Sequence, residues 1–248
     1  MKYIKLLIFM SFIVFGACKK ENTNNNGTPT QSCQIKTYTF NDSLEYTYNM
    51  DDKDRIESII TKNEYSGDSS ILYYAYDGKI VETSDGQTIY LNDRNLADSS
   101  NFELDFNGTK FPGKARNKYN AANQMIQQVL EFDIFATHFV FTSDYTWVNG
   151  QLTQKTELVE SSSSPDRTTT YNYTYENRLI DNSAIWLAKH GFLGNVTPQA
   201  LLEETALIDG TEVKTTYEYV VYKGNIELKI AIIDNDRQIY YRYQWLCQ

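Results

Sequence analysis

The segment TTTYNYTYENRLID, residues 168–181, carries Tyr171, Tyr173 and Tyr175 at alternate positions, with threonine and asparagine between them. Alternation at period two cannot form a helical stripe; it gives a strand with two unlike faces. The same pattern returns along the chain. SLEYTYNM sets Leu44, Tyr46, Tyr48 and Met50 against Ser43, Glu45, Thr47 and Asn49. YEYVVY places Tyr217 and Tyr219 on one face, and QIYYRYQWL places Ile239, Tyr241, Tyr243 and Trp245 together. HFVFTSDYTWV groups Phe139, Phe141, Tyr145 and Trp147, and NIELKIAII is expected to bury Ile226, Leu228, Ile230 and Ile232 with Lys229 on the wet side. Such residues suit a pleated, half-buried surface.

Turn signals separate these strands: NDS at 41–43, DDKD at 51–54, SGDS at 66–69, and Asp-Gly, Asn-Gly or Lys-Gly pairs at 77–78, 85–86, 107–108, 149–150, 209–210 and 223–224. Asn-Gly and Asp-Gly supply the positive-φ residues of tight hairpins. Closely spaced hairpins give antiparallel neighbours, whereas parallel strands need long crossovers. The expected fold is therefore mainly β: a large antiparallel meander. One short helix is expected near 183–190, capped by Asn182 or Ser183 and ended by Gly191 and Gly194. SSSSPDR, 161–167, reads as a long polar hairpin tip. An aromatic residue, a turn and an aliphatic also recur, in YNMDDKDRI (48–56), YDGKI (76–80), YNAANQM (119–125), WVNGQL (147–152), YENRL (175–179) and YKGNI (222–226).

The N-terminus reads as a targeting segment. A basic start, Lys2 and Lys5, precedes the apolar run LLIFMSFIVFGA, too short to span a bilayer as a helix. FGAC resembles the lipobox of bacterial lipoproteins, which implies a signal peptide over 1–17 and lipidation of Cys18. A secretory signal without lipid is the alternative. Residues 18–32, the cysteine followed by an Asn- and Thr-rich stretch, read as a lipidated flexible tether. The remainder, 33–248, reads as a single antiparallel β domain. In an oxidising compartment Cys33 and Cys247 form an even pair at its two ends, with a disulfide as one outcome and two separate thiols as the other. The net charge of −9 disfavours nucleic acid as a partner.

Two resemblances follow from these residues. YENRL and YDGKI are similar to the tyrosine–aspartate repeats of the RHS type. More broadly, the lipobox, the Asn-rich tether, the YxY…GxI hairpins, GFLGNVTPQALLEE and the closing YEYVVYKGNIELKIAIIDNDRQIYYRYQW resemble a family of bacterial lipoproteins of unknown function with a porin-like domain. That resemblance implies a curled or barrel-like sheet anchored at the Gram-negative outer membrane, periplasmic or surface-facing. It implies no reaction. It does not imply a pore either: a membrane barrel needs an apolar lipid-facing band, and the residues opposite the tyrosines are Thr, Glu, Lys, Asn and Arg.

No catalytic signature is present, no cofactor is implied, and no metal-ligand cluster appears. His138 and His190 read as structural. Asp51, Asp52 and Asp54, like Asp234 and Asp236, read as turn residues. Asp42-Ser43-Leu44 resembles the acceptor of periplasmic O-glycosylation, with Ser43 as the modified residue. Three functions stay open. The first is a non-enzymatic, membrane-tethered binder of a ligand such as a glycan. The second is a structural or assembly lipoprotein with an envelope protein partner. The third is a glycoside hydrolase using two carboxylates. In the first, Tyr171, Tyr173, Tyr175, Tyr217, Tyr219, Tyr241, Tyr243 and Trp245 are the candidate ligand-facing aromatics. Whether this ladder is core or binding surface is left open by the sequence.

Overall fold

The computed structural model describes residues 33–106, 108–222, 225–234 and 236–247. Sixteen strands follow one another. They begin with β1 (Cys33–Phe40), β2 (Leu44–Met50), β3 (Ile56–Asn63), β4 (Ser69–Asp77), β5 (Ile80–Thr83) and β6 (Thr88–Leu91). Next come β7 (Ala97–Phe106), β8 (Thr109–Tyr119), β9 (Met125–Ile134), β10 (Thr137–Val148), β11 (Gln151–Ser161) and β12 (Ser164–Ile180). A helix, α1 (Asn182–His190), interrupts the meander before β13 (Gln199–Ile208), β14 (Thr211–Tyr222), β15 (Asn225–Ile233) and β16 (Arg237–Cys247). Each strand pairs antiparallel with the next, and β16 returns to β1, so the sheet is a closed barrel. The leader (1–17), Cys18 and the rest of the 18–32 tether lie outside the described residues.

Closure removes the exposed edges that a sixteen-strand sheet would otherwise present. The seam runs from Cys33 opposite Cys247 to Phe40 opposite Tyr241. A disulfide joins Cys33 to Cys247 at one end of it.

The repeated aromatic–turn–aliphatic units all lie at that same end of the barrel, and the structure gives them a physical role. Three of the hairpins there are built alike. Asp51, Asn92 and Asn120 each accept, through Oδ1, the backbone N–H groups two and four residues on. The fourth residue of each turn, Asp54, Asn95 and Asn123, has φ near +60°, a conformation that Asn and Asp tolerate. Neighbouring hairpins are then stitched by the aromatic. Tyr76 Oη donates to the Ile56 carbonyl at 2.8 Å, Trp147 Nε1 to Met125 at 2.7 Å and Trp245 Nε1 to Ile226 at 2.9 Å. Each aromatic thus buries its ring, finds a partner for its polar atom, and fixes the hairpin before it.

A closed barrel of this strand number is wide enough to leave a lumen. Here the segment 181–198 fills one end. Asp181 caps α1, its Oδ1 accepting Ala184 N at 3.0 Å. The cap is thus one residue before Asn182 rather than at Asn182 or Ser183, because the Asp carboxylate reaches both Ala184 N and the Ser183 hydroxyl. Trp186 is buried in a cluster with Ile35, Ala200, Ile226 and Tyr243, its ring edge-on to Tyr48 at 4.9 Å. After the helix the chain bonds to hairpins around the end. Ala97 N donates to Phe192 O at 2.8 Å, Asn195 N to Asn123 O at 2.7 Å, and Leu152 N to Thr197 Oγ1 at 2.7 Å.

The outer wall carries charge on most strands. Arg116 pairs with Glu131 at 2.7 Å, Lys214 with Glu203 at 2.6 Å and Arg242 with Asp42 at 2.8 Å. Lys or Arg at the middle of a lipid-facing wall would cost about 2–4 kcal/mol each. The wall also exposes Leu207, Val220 and Leu246, so charged and apolar side chains share it.

Two local expectations are corrected. In β15 the pairing shifts between Val220 opposite Leu228 and Val221 opposite Ile226, leaving Glu227 as an extra residue. This bulge turns Ile226, Lys229 and Ala231 into the barrel, all buried, and sends Leu228, Ile230 and Ile232 outward. The long polar tip expected at 161–167 is a two-residue turn, with Ser164, Pro165, Asp166 and Arg167 inside β12.

Candidate functional site

Between α1 and the opposite, open end lies a cavity of about 320 Å³. It exists because several positions that face it are small. Ser183 and Ala184 from α1 form part of its floor, and Thr215 of β14 and Ala231 of β15 part of its wall. Aromatic rings on the flanking strands stand over these positions. Tyr171, Tyr173, Tyr217, Tyr241 and Tyr243 all line the cavity. Tyr175 packs instead in the cluster around Met125, Tyr145 and Leu152. Tyr219 donates to Leu201 O at 2.6 Å and Trp245 to Ile226 O, so both serve the plugged end. Five of the eight line the cavity while also packing in the two core clusters, where Tyr173 and Tyr243 are buried members, and the other three pack without reaching it. None of the eight forms an exposed platform on the outer wall.

Two lysines enter the cavity among these rings. Lys155 of β11 has its Nζ 5.0 Å from the Tyr171 centroid and 2.6 Å from Glu157 Oε2. Lys229 of β15 has its Nζ 4.7 Å from the Tyr217 centroid and 5.6 Å from that of Tyr241. Cation–ring contacts of this kind contribute about 0.5–2 kcal/mol, most where water is excluded. Glu204 of β13 and Asp181 also line the cavity. Burial pushes the Lys229 ammonium below its ordinary value, opposed by Asp181 and Glu204. Burial pushes the Glu204 carboxyl above its own, opposed by Lys229 and Lys155. The phenols follow the same rule: burial raises Tyr171 to about 12 and Tyr173, Tyr217 and Tyr243 well above the ordinary value.

These charges were not legible as a site in the sequence. Lys155, Glu204 and Lys229 sit on three strands far apart in the chain, and register alone brings them into one cavity. The available signal was local: a lysine inside an otherwise apolar run, NIELKIAII.

The remaining candidate residues lie elsewhere. Ser43 sits in the β1–β2 turn at the open end, its hydroxyl donating to Phe40 O at 3.1 Å. His138 is on the outer wall, Nδ1 2.8 Å from Asp133 Oδ1. His190 ends α1, buried with its ring 4.4 Å from that of Trp186. Asp51 organises its own turn and pairs with Arg55, and Asp234 Oδ1 accepts Lys214 N at 3.1 Å. Among the described residues, no group of three or more His, Cys, Asp or Glu is placed to hold a metal ion.

No protein-family model matches this chain, and no curated protein matches it. Its fold is similar to that of several solved structures, two of which are porin-like proteins. One is a porin-like protein from Bacteroides vulgatus ATCC 8482, with a TM-score of 0.64 and 9% identity, over 85% of this chain and 98% of that one. The other is a porin-like protein from Bacteroides uniformis ATCC 8492, with a TM-score of 0.58 and 14% identity, over 86% of this chain and 96% of that one. At such identities the likeness is one of fold.

Proposed function

We propose that this chain is a non-enzymatic, envelope-tethered binding protein whose barrel works as a receptor cup for a small glycan. The observation that carries the reading is the cavity: tyrosine rings, buried lysines and a buried carboxylate converge in one recess inside a closed wall. Burying ions costs several kcal/mol each unless they are paired and solvated by protein or ligand, so a bare packing role favours apolar residues at these positions. Aromatic faces suit the C–H face of a sugar ring, while Lys229 and Glu204 offer a donor and an acceptor to its hydroxyls.

The hydrolase reading has less support. Asp181, the second acid lining the cavity, already caps α1 through its carboxylate. A carboxylate engaged in this way is poorly placed to work as the partner of Glu204 in glycoside hydrolysis. Tethering rests on the lipobox-like FGAC that ends at Cys18, and multiple acyl chains there would hold the domain at a membrane. The outer membrane of a Gram-negative envelope is the compartment that fits both the lipobox and the porin-like fold.

Two measurements test this reading. Binding to an immobilised glycan array, followed by calorimetry on the selected sugar, should give saturable binding that Lys229→Met weakens at least tenfold while leaving the far-UV spectrum and melting temperature near wild type. Equal affinity in wild type and variant would contradict it. Radiolabelled palmitate should label the wild-type chain in cells and not Cys18→Ala.

A further inference from the structure

The segment 181–190 closes one end of the cavity. Its floor is α1, through Asp181, Ser183, Ala184 and Leu187, and its far rim is Ile233, Arg237 and Ile239, beside the β15–β16 turn at the open end. Arg237 at that rim is exposed. From Lys229 to Ile233 the strand runs about 13 Å at roughly 3.3 Å per residue. Behind the floor the plug is held on several sides. Gly194 lies so close to the β8–β9 hairpin that an added Cβ would come within 2.2 Å of Asn123 O. The Tyr119 hydroxyl donates to Ala97 O at 3.0 Å, beside the plug's own bond from Ala97 N to Phe192 O. A polymer cannot thread such a recess. Only an end of it can enter.

The charges inside also narrow the ligand. Lys155, Lys229 and Arg237 line it with Glu204 and Asp181, and Glu157, 2.6 Å from Lys155, brings the acids to three as well. No excess of one sign is built into the wall to reward an acidic or a basic sugar. Donors and acceptors are both offered, set between aromatic faces.

We propose that the cavity recognises the terminus of a neutral glycan, entering from the open end and seating its last sugar against Tyr217 and Tyr241. This rests on the glycan-binding reading above and specifies which part of a glycan is read.

The test uses the mature chain and sets of linear oligosaccharides that share a repeat, made in four forms: unmodified, lengthened at either end, and carrying a terminal uronic acid. Cyclic glycans of the same linkage complete the panel. The expected result is binding governed by one terminus. An added sugar of another type at that end lowers affinity at least tenfold, lengthening the other end changes it less than twofold, and the cyclic forms do not bind. Equal binding of linear and cyclic forms, affinity that grows with the number of internal repeats, or a preference for the acidic terminus would overturn the inference while leaving glycan binding standing. Binding to no member of the panel or of a broad array would overturn the glycan reading and this inference with it.

Discussion

At the scale of single residues, the inward face of this barrel is chosen by chemistry that hydropathy reads only in part. Tyr171, Tyr173, Tyr217, Tyr241 and Tyr243 were legible as one face of their strands, because alternation is local. Lys229 was not, because a one-residue bulge at Glu227 exchanges the faces of β15. Glu227 and Lys229 are both polar, and nothing in their order says which one is buried between tyrosine rings. His190 is a second residue whose state depends on packing. Burial, with Lys189 nearby, lowers its pKa to about 4 against the opposing pull of Asp54. An unfolded histidine titrates near 6.5. Between these values the unfolded chain binds the extra proton, so stability is full above about pH 6.5 and falls as pH drops toward 4. Denaturant midpoints measured from pH 7.5 to 4 should show this decline, and His190→Gln should flatten part of it. Parallel profiles for wild type and variant would mean that His190 is not buried neutral.

At the scale of elements, the repeat visible in the sequence is a hairpin device with a specific job. Asp51, Asn92 and Asn120 begin three turns of one kind, and Tyr76, Trp147 and Trp245 stitch hairpins to their neighbours. The spacing Asp/Asn-x-x-Asp/Asn followed by an aliphatic was readable in DDKDRI, NDRNLA and NAANQM. That these turns gather at one end was not readable from any one of them; it follows from their each falling at the same phase of an up-and-down meander. The helix was legible from the two glycines after it, but its position as a plug depends on contacts with Tyr48, Asn123 and Leu152, all distant in sequence. Two substitutions separate plug docking from barrel integrity. Asp181→Ala removes the helix cap and should cost about 1 kcal/mol. Gly194→Ala forces a Cβ against Asn123 O in a backbone with φ of +89°. It should raise hydrogen exchange in 182–198 and leave the strands of β7 to β10 protected. Uniform loss of protection would mean that plug and wall unfold as one unit.

At the scale of the whole molecule, the chain is a closed sixteen-strand antiparallel barrel. The wall is closed by pairing of β1 with β16 and by the Cys33–Cys247 disulfide, one end is filled by the chain itself, and the tyrosine-rich interior holds the only buried lysines among the described residues. The antiparallel meander was legible from turn spacing, and the curl only from the resemblance to porin-like lipoproteins. Closure was not, since nothing local distinguishes a final strand that meets the first from one that leaves an edge. The account's central claim is that the outer wall faces solvent and the work is done inside. Light scattering coupled to size exclusion, run on residues 33–248 with and without a mild detergent, tests it most directly. The account predicts a detergent-free monodisperse species whose mass is unchanged when detergent is added. A micelle-sized belt of bound detergent, or a need for detergent to stay in solution, would show a lipid-facing wall and contradict it.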